Sequence, residues 1–215
     1  LSITNDATFP EDSIEKERSV ILQEYFDYLD RPNSVGYENA YPEFFNETSF
    51  ETSIIGTKES IKHITQKELV SYYNKFYRPE RMIISVSGNF NQDILNKYIL
   101  KYFPNKNVKH DNIKNNLMAK PSKLEKTFPT KFENDNIFFY YDVDTKNYTE
   151  FITLQLISNY IGGGFSSVLF QKIREELGLV YRISSFVENT AGNTGMMIYT
   201  TCTKDKNETV IEETK

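Results

Sequence analysis

The pattern of hydrophobic and polar positions along the chain predicts five helices. Apolar residues recur at three- and four-residue spacing, as on the buried face of an α-helix. Thr65 and Glu68 form a capping-box pattern at one predicted start, and Pro32 follows one predicted end. The predicted helices cover residues 9–30, 65–78, 91–103, 149–161 and 165–177. A short helix with loops is expected within 33–60, and the start of a helix within 205–215.

Four runs of β-prone residues predict strands. They cover residues 82–87, 137–143, 179–188 and 195–203. The helices and strands do not alternate regularly, so their order fits no repeating βαβ scheme. The expected fold class is therefore α+β, with antiparallel sheets and helices packed on one face.

The composition of the chain changes between two groups of elements. Residues 105–135 are rich in Lys, Asn and Pro and contain few large apolar side chains, which is typical of a linker. We therefore expect one domain over 1–106, a linker over 107–135 and a second domain over 136–215. The chain starts at Leu1 and shows no signal peptide, so we interpret it as a piece of a longer polypeptide, for which a cytoplasmic location is favoured.

The overall composition excludes several classes of function. Hydrophobic residues make up 39% of the 215 residues, which is enough for a packed core. No run of about 18 apolar residues predicts a membrane span. The net charge is −5 without a basic patch, so nucleic-acid binding has no support. Cys202 is the only cysteine, so neither a disulfide nor a thiolate zinc site can form within one chain, and we expect this thiol to be buried in a strand.

Glu17 and Glu24 form the first candidate site. Seven residues make almost two helical turns, so both carboxylates point almost the same way, about 10 Å apart along the axis. Val20, Ile21 and Tyr28 lie on the same stripe, so we expect both carboxylates on the apolar side of the helix. A carboxylate in that position needs a positive partner, such as a metal ion or a substrate amine. The alternative is that both are ordinary surface glutamates.

Arg174 and Tyr181 form the second candidate site. They are separated by a predicted helix stop at Gly178, so Arg174 ends a helix and Tyr181 begins a strand. A guanidinium and a phenol at a helix–strand corner can both bind a peptide carbonyl or a carboxylate. The alternative is that Arg174 is a solvated helix residue and that Tyr181 packs at a sheet edge.

The chain has too few histidines for a zinc site of its own. Only His63 and His110 are present, and neither is paired with another histidine four residues away. A catalytic zinc needs three protein ligands and an open position. The glycine triplet at 162–164 lacks the Gly-Lys-Ser/Thr continuation of a phosphate-binding loop, so we interpret it as a tight break between two helices.

Four segments occur in an order and spacing that are known from one protein family. They are residues 15–24, 55–79, 85–90 and 162–181. The first reads EKERSVILQE, and the last runs from GGGFSSVLF to REELGLVY. Together these segments resemble the pitrilysin, insulinase and mitochondrial-processing-peptidase family of zinc metallopeptidases, over nearly the whole chain.

The resemblance implies a role for each candidate residue. Glu24 matches the family's zinc-ligating glutamate, and Glu17 matches the accompanying glutamate that supports the metal site or catalysis. Arg174 and Tyr181 match the pair that binds the substrate backbone in the second domain. The resemblance thus implies a zinc-dependent metalloendopeptidase that hydrolyses peptides in a chamber between two related halves, with zinc as the cofactor of the intact protein.

The chain departs from the family in one respect. The family's His-x-x-Glu-His motif, with two zinc ligands and the general base, lies roughly 75 residues before the third ligand, and thus before Leu1. We therefore expect that this chain by itself does not hydrolyse peptides and does not bind zinc tightly. The expected partners are a peptide substrate, the missing segments of the longer chain, and a second subunit in a homodimer or heterodimer. The alternative function is a non-catalytic partner subunit that binds peptide or stabilises an active homologue.

Overall fold

The structure is a computed structural model that describes residues 2–103, 125–190 and 192–215. Its α-helices are α1 (Ser2–Asn5), α2 (Glu11–Leu29), α3 (Pro32–Phe44), α4 (Lys58–His63), α5 (Gln66–Phe76), α6 (Gln92–Tyr102), α7 (Tyr148–Gly162) and α8 (Asn207–Thr214). A π-helix covers Phe170–Glu176, and short 3₁₀ helices cover Pro79–Arg81 and Lys204–Lys206. Of the helices in the described residues, none is both long and apolar enough to cross a membrane.

Local side-chain hydrogen bonds explain why several helices begin where they do. The Thr65 hydroxyl accepts from the Glu68 amide at 3.3 Å, and the Glu68 carboxylate accepts from the Thr65 amide at 2.8 Å. The side chains of Asn91 and Asn147 cap α6 and α7 by accepting from amides of the first turn. These bonds satisfy amides that have no partner at a helix start. The predictions for α2, α5, α6 and α7 are confirmed, with boundaries that differ by at most two residues.

The strands form one antiparallel sheet. They are β1 (Asn134–Asp142), β2 (Ile183–Thr190) and β3 (Asn193–Thr203), in the order β1-β3-β2. In this register Phe138 of β1 lies opposite Tyr199 of β3, and Ile183 of β2 lies opposite Thr200. The combination of this sheet with the helices confirms the expected α+β class.

The described residues divide into two compact units. Their ranges are 2–25 with 56–103, and 26–55 with 125–190 and 192–215. The first unit contains α4, α5, α6 and most of α2, and the second contains α3, the sheet, the π-helix, α7 and α8. Most of the expected linker over 107–135 lies outside the described residues, and so does His110. The expected domain boundaries therefore stay a prediction.

One face of the sheet forms the main hydrophobic core of the second unit. Ile137, Ile183 and Ile198 come from the three strands and are buried together. α7, α8 and the π-helix pack against the sheet, and side chains of the π-helix and α8 join this core. Cys202 of β3 is buried in the same core, as predicted. Burial raises the pKa of this thiol to about 11, so it stays protonated at neutral pH.

The opposite face of the sheet is covered by α3 through aromatic contacts. The rings of Tyr37 and Phe138 lie 4.9 Å apart, and those of Phe44 and Tyr140 stack at 4.6 Å. A Cβ at Gly36 would lie 2.6 Å from the Phe138 ring, so glycine permits this close approach. Helices therefore cover both faces of the three-stranded sheet, so the α+β class holds but the expected placement of the helices on one face is wrong.

The strand predicted over 82–87 is wrong for this structure. These residues form no strand, and Ile83 is 98% exposed. A strand requires hydrogen bonds to a neighbouring strand, and the described part of the chain places no strand beside this segment. The β-prone side chains set a local preference but cannot supply the pairing.

The helix predicted over 165–177 forms mainly as a π-helix. The Leu177 amide donates to the Lys172 carbonyl at 3.0 Å, a bond that spans five residues instead of four. Phe170 and Ile173 both lie in this wider turn, and both side chains are buried in the core. Apolar spacing does not distinguish the two kinds of helix, and π-turns are frequent at functional sites. Arg174 lies in this turn.

Candidate functional site

α2 carries Glu17 and Glu24 on its exposed side. Ile14 and Leu22 are partly buried, whereas Val20 is 50% exposed and both glutamates are exposed. The expectation that the two carboxylates lie on the apolar side of the helix is therefore wrong. The seven-residue spacing still places them on one side of α2, because it amounts to almost two full turns.

Arg18 is a polar residue on the inward side of α2. Its side chain is only 14% exposed, although Glu17, the residue before it, is exposed. Arg18 is not among the sequence-based candidates. The spacing gave no signal that separates it from its neighbour, because Glu17 and Arg18 both lie three or four residues from Ile14 and Ile21.

The described residues do not form a zinc site. They contain no group of three His, Cys, Asp or Glu side chains that could hold a metal ion. His63 is exposed, and its Nδ1 lies 2.7 Å from the carbonyl oxygen of Glu59. A zinc site needs at least three protein ligands, so one or two carboxylates on α2 do not fit this ion without further donors.

Zinc is expected to bind this chain only weakly. One carboxylate does not replace a full ligand set, whose binding free energy is on the order of 10 kcal/mol or more. Isothermal titration calorimetry of the chain with zinc should therefore give no tight, stoichiometric binding, and Glu24→Gln should change the titration little. A tight one-to-one complex would contradict the prediction.

Arg174 and Tyr181 lie together at the corner after the π-helix. The Arg174 Nε donates to the main-chain carbonyl of Tyr181 at 3.0 Å. Gly178 has a φ of 59°, a left-handed conformation that favours glycine and ends the helix. The structure thus brings together the two residues of the second candidate site.

The guanidinium of Arg174 is oriented from several sides. It lies 4.8 Å from the ring centre of Phe170 and 5.8 Å from that of Tyr181, and Glu175 pairs with its Nη1. Stacking and the ion pair restrict a side chain that is otherwise flexible. Phe170 is a second residue of this corner that was not among the sequence-based candidates.

This corner can bind a polar main chain. A guanidinium carries five N–H donors, and Nε and Nη1 of Arg174 use only part of them. The Tyr181 side chain is 84% exposed, which leaves its hydroxyl accessible. Two donors side by side on an exposed corner suit a peptide carbonyl or a carboxylate. The roles expected for Glu17, Glu24, Arg174 and Tyr181 stay predictions.

Comparison with known proteins identifies the class of this chain. The family model described as the peptidase M16 inactive domain matches residues 63–215. A relative from Rickettsia felis, named an uncharacterized zinc protease, is 28% identical over 225 residues, which cover 99% of this chain and 52% of that protein. A relative from Schizosaccharomyces pombe, named probable mitochondrial-processing peptidase subunit beta, is 30% identical over 101 residues, which cover 47% of this chain and 22% of that protein.

The fold agrees with this class. A crystal structure of a peptidase M16 inactive domain from Pseudomonas fluorescens matches with a TM-score of 0.75 and 18% identity, over 96% of this chain and 50% of that chain. This chain belongs to the M16 peptidase family, which confirms the resemblance to the pitrilysin, insulinase and mitochondrial-processing-peptidase family. It spans about half the length of the Rickettsia felis relative and of the Pseudomonas fluorescens chain.

Proposed function

We propose that this chain is the peptide-holding part of a zinc-dependent metalloendopeptidase. The longer protein would hydrolyse peptides in a chamber between two related halves, and this chain by itself would not be catalytic. Its relatives named as zinc proteases support this proposal, as does the description of the matched family model as an inactive domain. The observation that carries it is the exposed corner of Arg174 and Tyr181.

The proposed role of the corner is to hold the main chain of a substrate. The remaining N–H groups of Arg174 would donate to a peptide carbonyl oxygen, and the Tyr181 hydroxyl would donate to a second carbonyl of the same segment. Main-chain groups recur in every peptide, so such contacts bind without selecting a side chain. Glu24 would contribute one zinc ligand in the longer protein, and Glu17 would support it. The other ligands would have to come from outside the described residues.

The substrate-holding role is tested by substituting the two corner residues in the longer protein. Arg174→Ala and Tyr181→Phe should each lower kcat/KM for an unstructured, internally quenched peptide about 10-fold or more, mainly through KM. A hydrogen bond from a charged donor such as Arg174 is worth on the order of 1.5 kcal/mol or more, and one from a neutral hydroxyl up to about that value, which corresponds to this factor. Cleavage should also stop when a chelator removes the metal and return when zinc is added.

Two neighbouring residues serve as matched controls. Arg182→Ala removes the same charge from an exposed arginine one position beyond Tyr181, and Tyr160→Phe removes the hydroxyl of an exposed tyrosine on α7. Both variants should keep the parent KM. If the controls and the corner variants raise KM alike, the corner has no special part in substrate binding.

The second candidate function is a non-catalytic partner subunit that binds peptide or stabilises an active homologue. It is a candidate because the Schizosaccharomyces pombe relative is named as a subunit of a processing peptidase. The two functions differ in the residues that would precede Leu1 in the longer protein. A His-x-x-Glu-His motif there supports the peptidase, and its absence supports the partner subunit.

A further inference from the structure

We propose that Arg18 is a positioning residue that fixes the rotation of α2 and thereby the direction of the Glu17 and Glu24 carboxylates. This inference deepens the proposed function, because it rests on α2 as the carrier of a metal ligand. It concerns the first unit only, where Arg18 of α2 contacts the end of α4.

The guanidinium of Arg18 connects α2 to the end of α4. Its Nη1 donates to the carbonyl oxygen of Ile61, and its Nη2 donates to that of Ile64 at 2.8 Å. Ile61 lies in the last turns of α4, and Ile64 is the residue that ends this helix. The partners are 43 and 46 residues away along the chain, so the contact is tertiary.

The two carbonyls are acceptors that α4 and α5 leave unused. In a continuous α-helix the Ile61 carbonyl would accept a hydrogen bond from the Thr65 amide, four residues later. This amide donates to the Glu68 carboxylate instead. The Glu68 amide, four residues beyond Ile64, donates to the Thr65 hydroxyl. The capping box of α5 therefore leaves both carbonyls without their helical donors. A cation at this negative end of α4 is favourable.

Glu15 holds the guanidinium from the other side. The Arg18 Nε lies 3.2 Å from both carboxylate oxygens of Glu15, and Nη2 lies 3.1 Å from one of them. The planar guanidinium is thus fixed by an anion on its own helix and by two carbonyls on another segment. These hydrogen bonds of the guanidinium are directional. The contacts of Ile14, Ile21 and Leu22 are apolar and therefore tolerate a rotation of α2 about its axis.

Because an α-helix is rigid, fixing the direction of Arg18 also fixes the directions of the two glutamates. Arg18 follows Glu17 by about 100° of rotation and differs from Glu24 by about 120°. With Arg18 held inward, both glutamates lie on one flank of the helix, about a third of a turn from Arg18, where they are exposed. Side chains end about 6 Å from a helix axis, so a rotation of about 20° would move each carboxylate by about 2 Å. Metal coordination tolerates displacements of only about 0.2 Å.

The inference is tested first by a distance measurement that needs no activity. Nitroxide labels are attached to cysteines introduced at Glu17 and Ser71, both exposed in the first unit, in a Cys202→Ser background. Pulsed electron paramagnetic resonance should give one narrow distance distribution. Arg18→Met keeps the apolar stem but removes the N–H donors, and should broaden or shift the distribution by about 2 Å. An unchanged distribution would overturn the inference.

Two further variants make the result specific. Lys16→Met removes a positive charge from an exposed position of the same helix and should leave the distribution unchanged. Arg18→Lys retains the charge but reaches only one carbonyl at a time, so it should give an intermediate broadening. If Arg18→Met does not fold, as judged by circular dichroism, the Arg18→Lys distribution decides, and no broadening there also overturns the inference.

The same variants in the longer protein separate this inference from the proposed function. Arg18→Met should lower kcat more than KM and reduce zinc affinity, without changing the effect of Arg174→Ala. If the distance distribution changes but zinc affinity does not, Arg18 positions α2 and the ligand role of Glu24 fails. If zinc affinity falls while the distribution stays narrow, Glu24 remains a ligand and the positioning role of Arg18 fails.

Discussion

Replacing Glu24 with glutamine in the longer protein is expected to remove the bound zinc and to abolish peptide cleavage. A carboxylate binds through an anionic oxygen that compensates part of the charge of Zn²⁺, whereas a glutamine amide is neutral and a weaker ligand. Substitutions that only disturb a ligand's support weaken metal binding 10- to 100-fold in general, so loss of the ligand itself should cost at least about 100-fold. The measurement is the zinc content after exchange into metal-free buffer, together with cleavage of the test peptide.

Two other glutamates of α2 provide the comparison. Glu11→Gln alters an exposed carboxylate in the first turn and should leave zinc content and cleavage unchanged. Glu17→Gln should lower cleavage and weaken zinc binding by no more than about 100-fold, less than Glu24→Gln, because a supporting residue does not bind the ion directly. Unchanged zinc content in Glu24→Gln would refute the ligand assignment.

The second large effect concerns the stability of the second unit. Gly162→Val is expected to lower the free energy of unfolding by about 3 kcal/mol, the upper part of the usual range for overpacking. A Cβ at this position would lie 2.6 Å from the backbone nitrogen of Ser185 and 2.7 Å from its Cβ. Ser185 belongs to β2, which is hydrogen-bonded to β3, so its backbone cannot shift without disturbing the sheet. The measurement is the midpoint and slope of urea unfolding.

Gly164 offers a matched control two residues further along. A Cβ there would have nothing within 4 Å. Gly164→Val should therefore change the free energy of unfolding by no more than about 0.5 kcal/mol, as surface substitutions usually do. Equal losses in both variants would show that close packing of α7 on β2 is not the cause.

The positions of several elements could be predicted from the sequence because they depend on short-range interactions. The capping box of Thr65 and Glu68 joins residues three apart, and it starts α5 where the pattern indicates. The corner of Arg174 and Tyr181 is also local, since Gly178 reverses the chain between them. Their proximity follows from seven residues of sequence.

Other features depend on partners that are distant in the sequence. The run over 82–87 has the composition of a strand, but no neighbouring strand is found among the described residues. Helix α3 covers the sheet face formed by Phe138 and Tyr140, a contact across about a hundred residues that no local pattern indicates. The π-helix also escaped prediction, because apolar spacing is similar for four- and five-residue hydrogen bonds.

The sequence by itself determined that Glu17 and Glu24 share one side of a helix, because helical periodicity fixes their relative direction. It also determined the helix starts and the helix–strand corner, which depend on side chains a few residues apart. Only the tertiary structure decided which side of α2 faces inward. That choice depends on the Ile61 and Ile64 carbonyls, which Arg18 reaches from more than forty residues away. A helix pattern contains no information about unused acceptors on another segment, so the rotation of α2 required the folded structure.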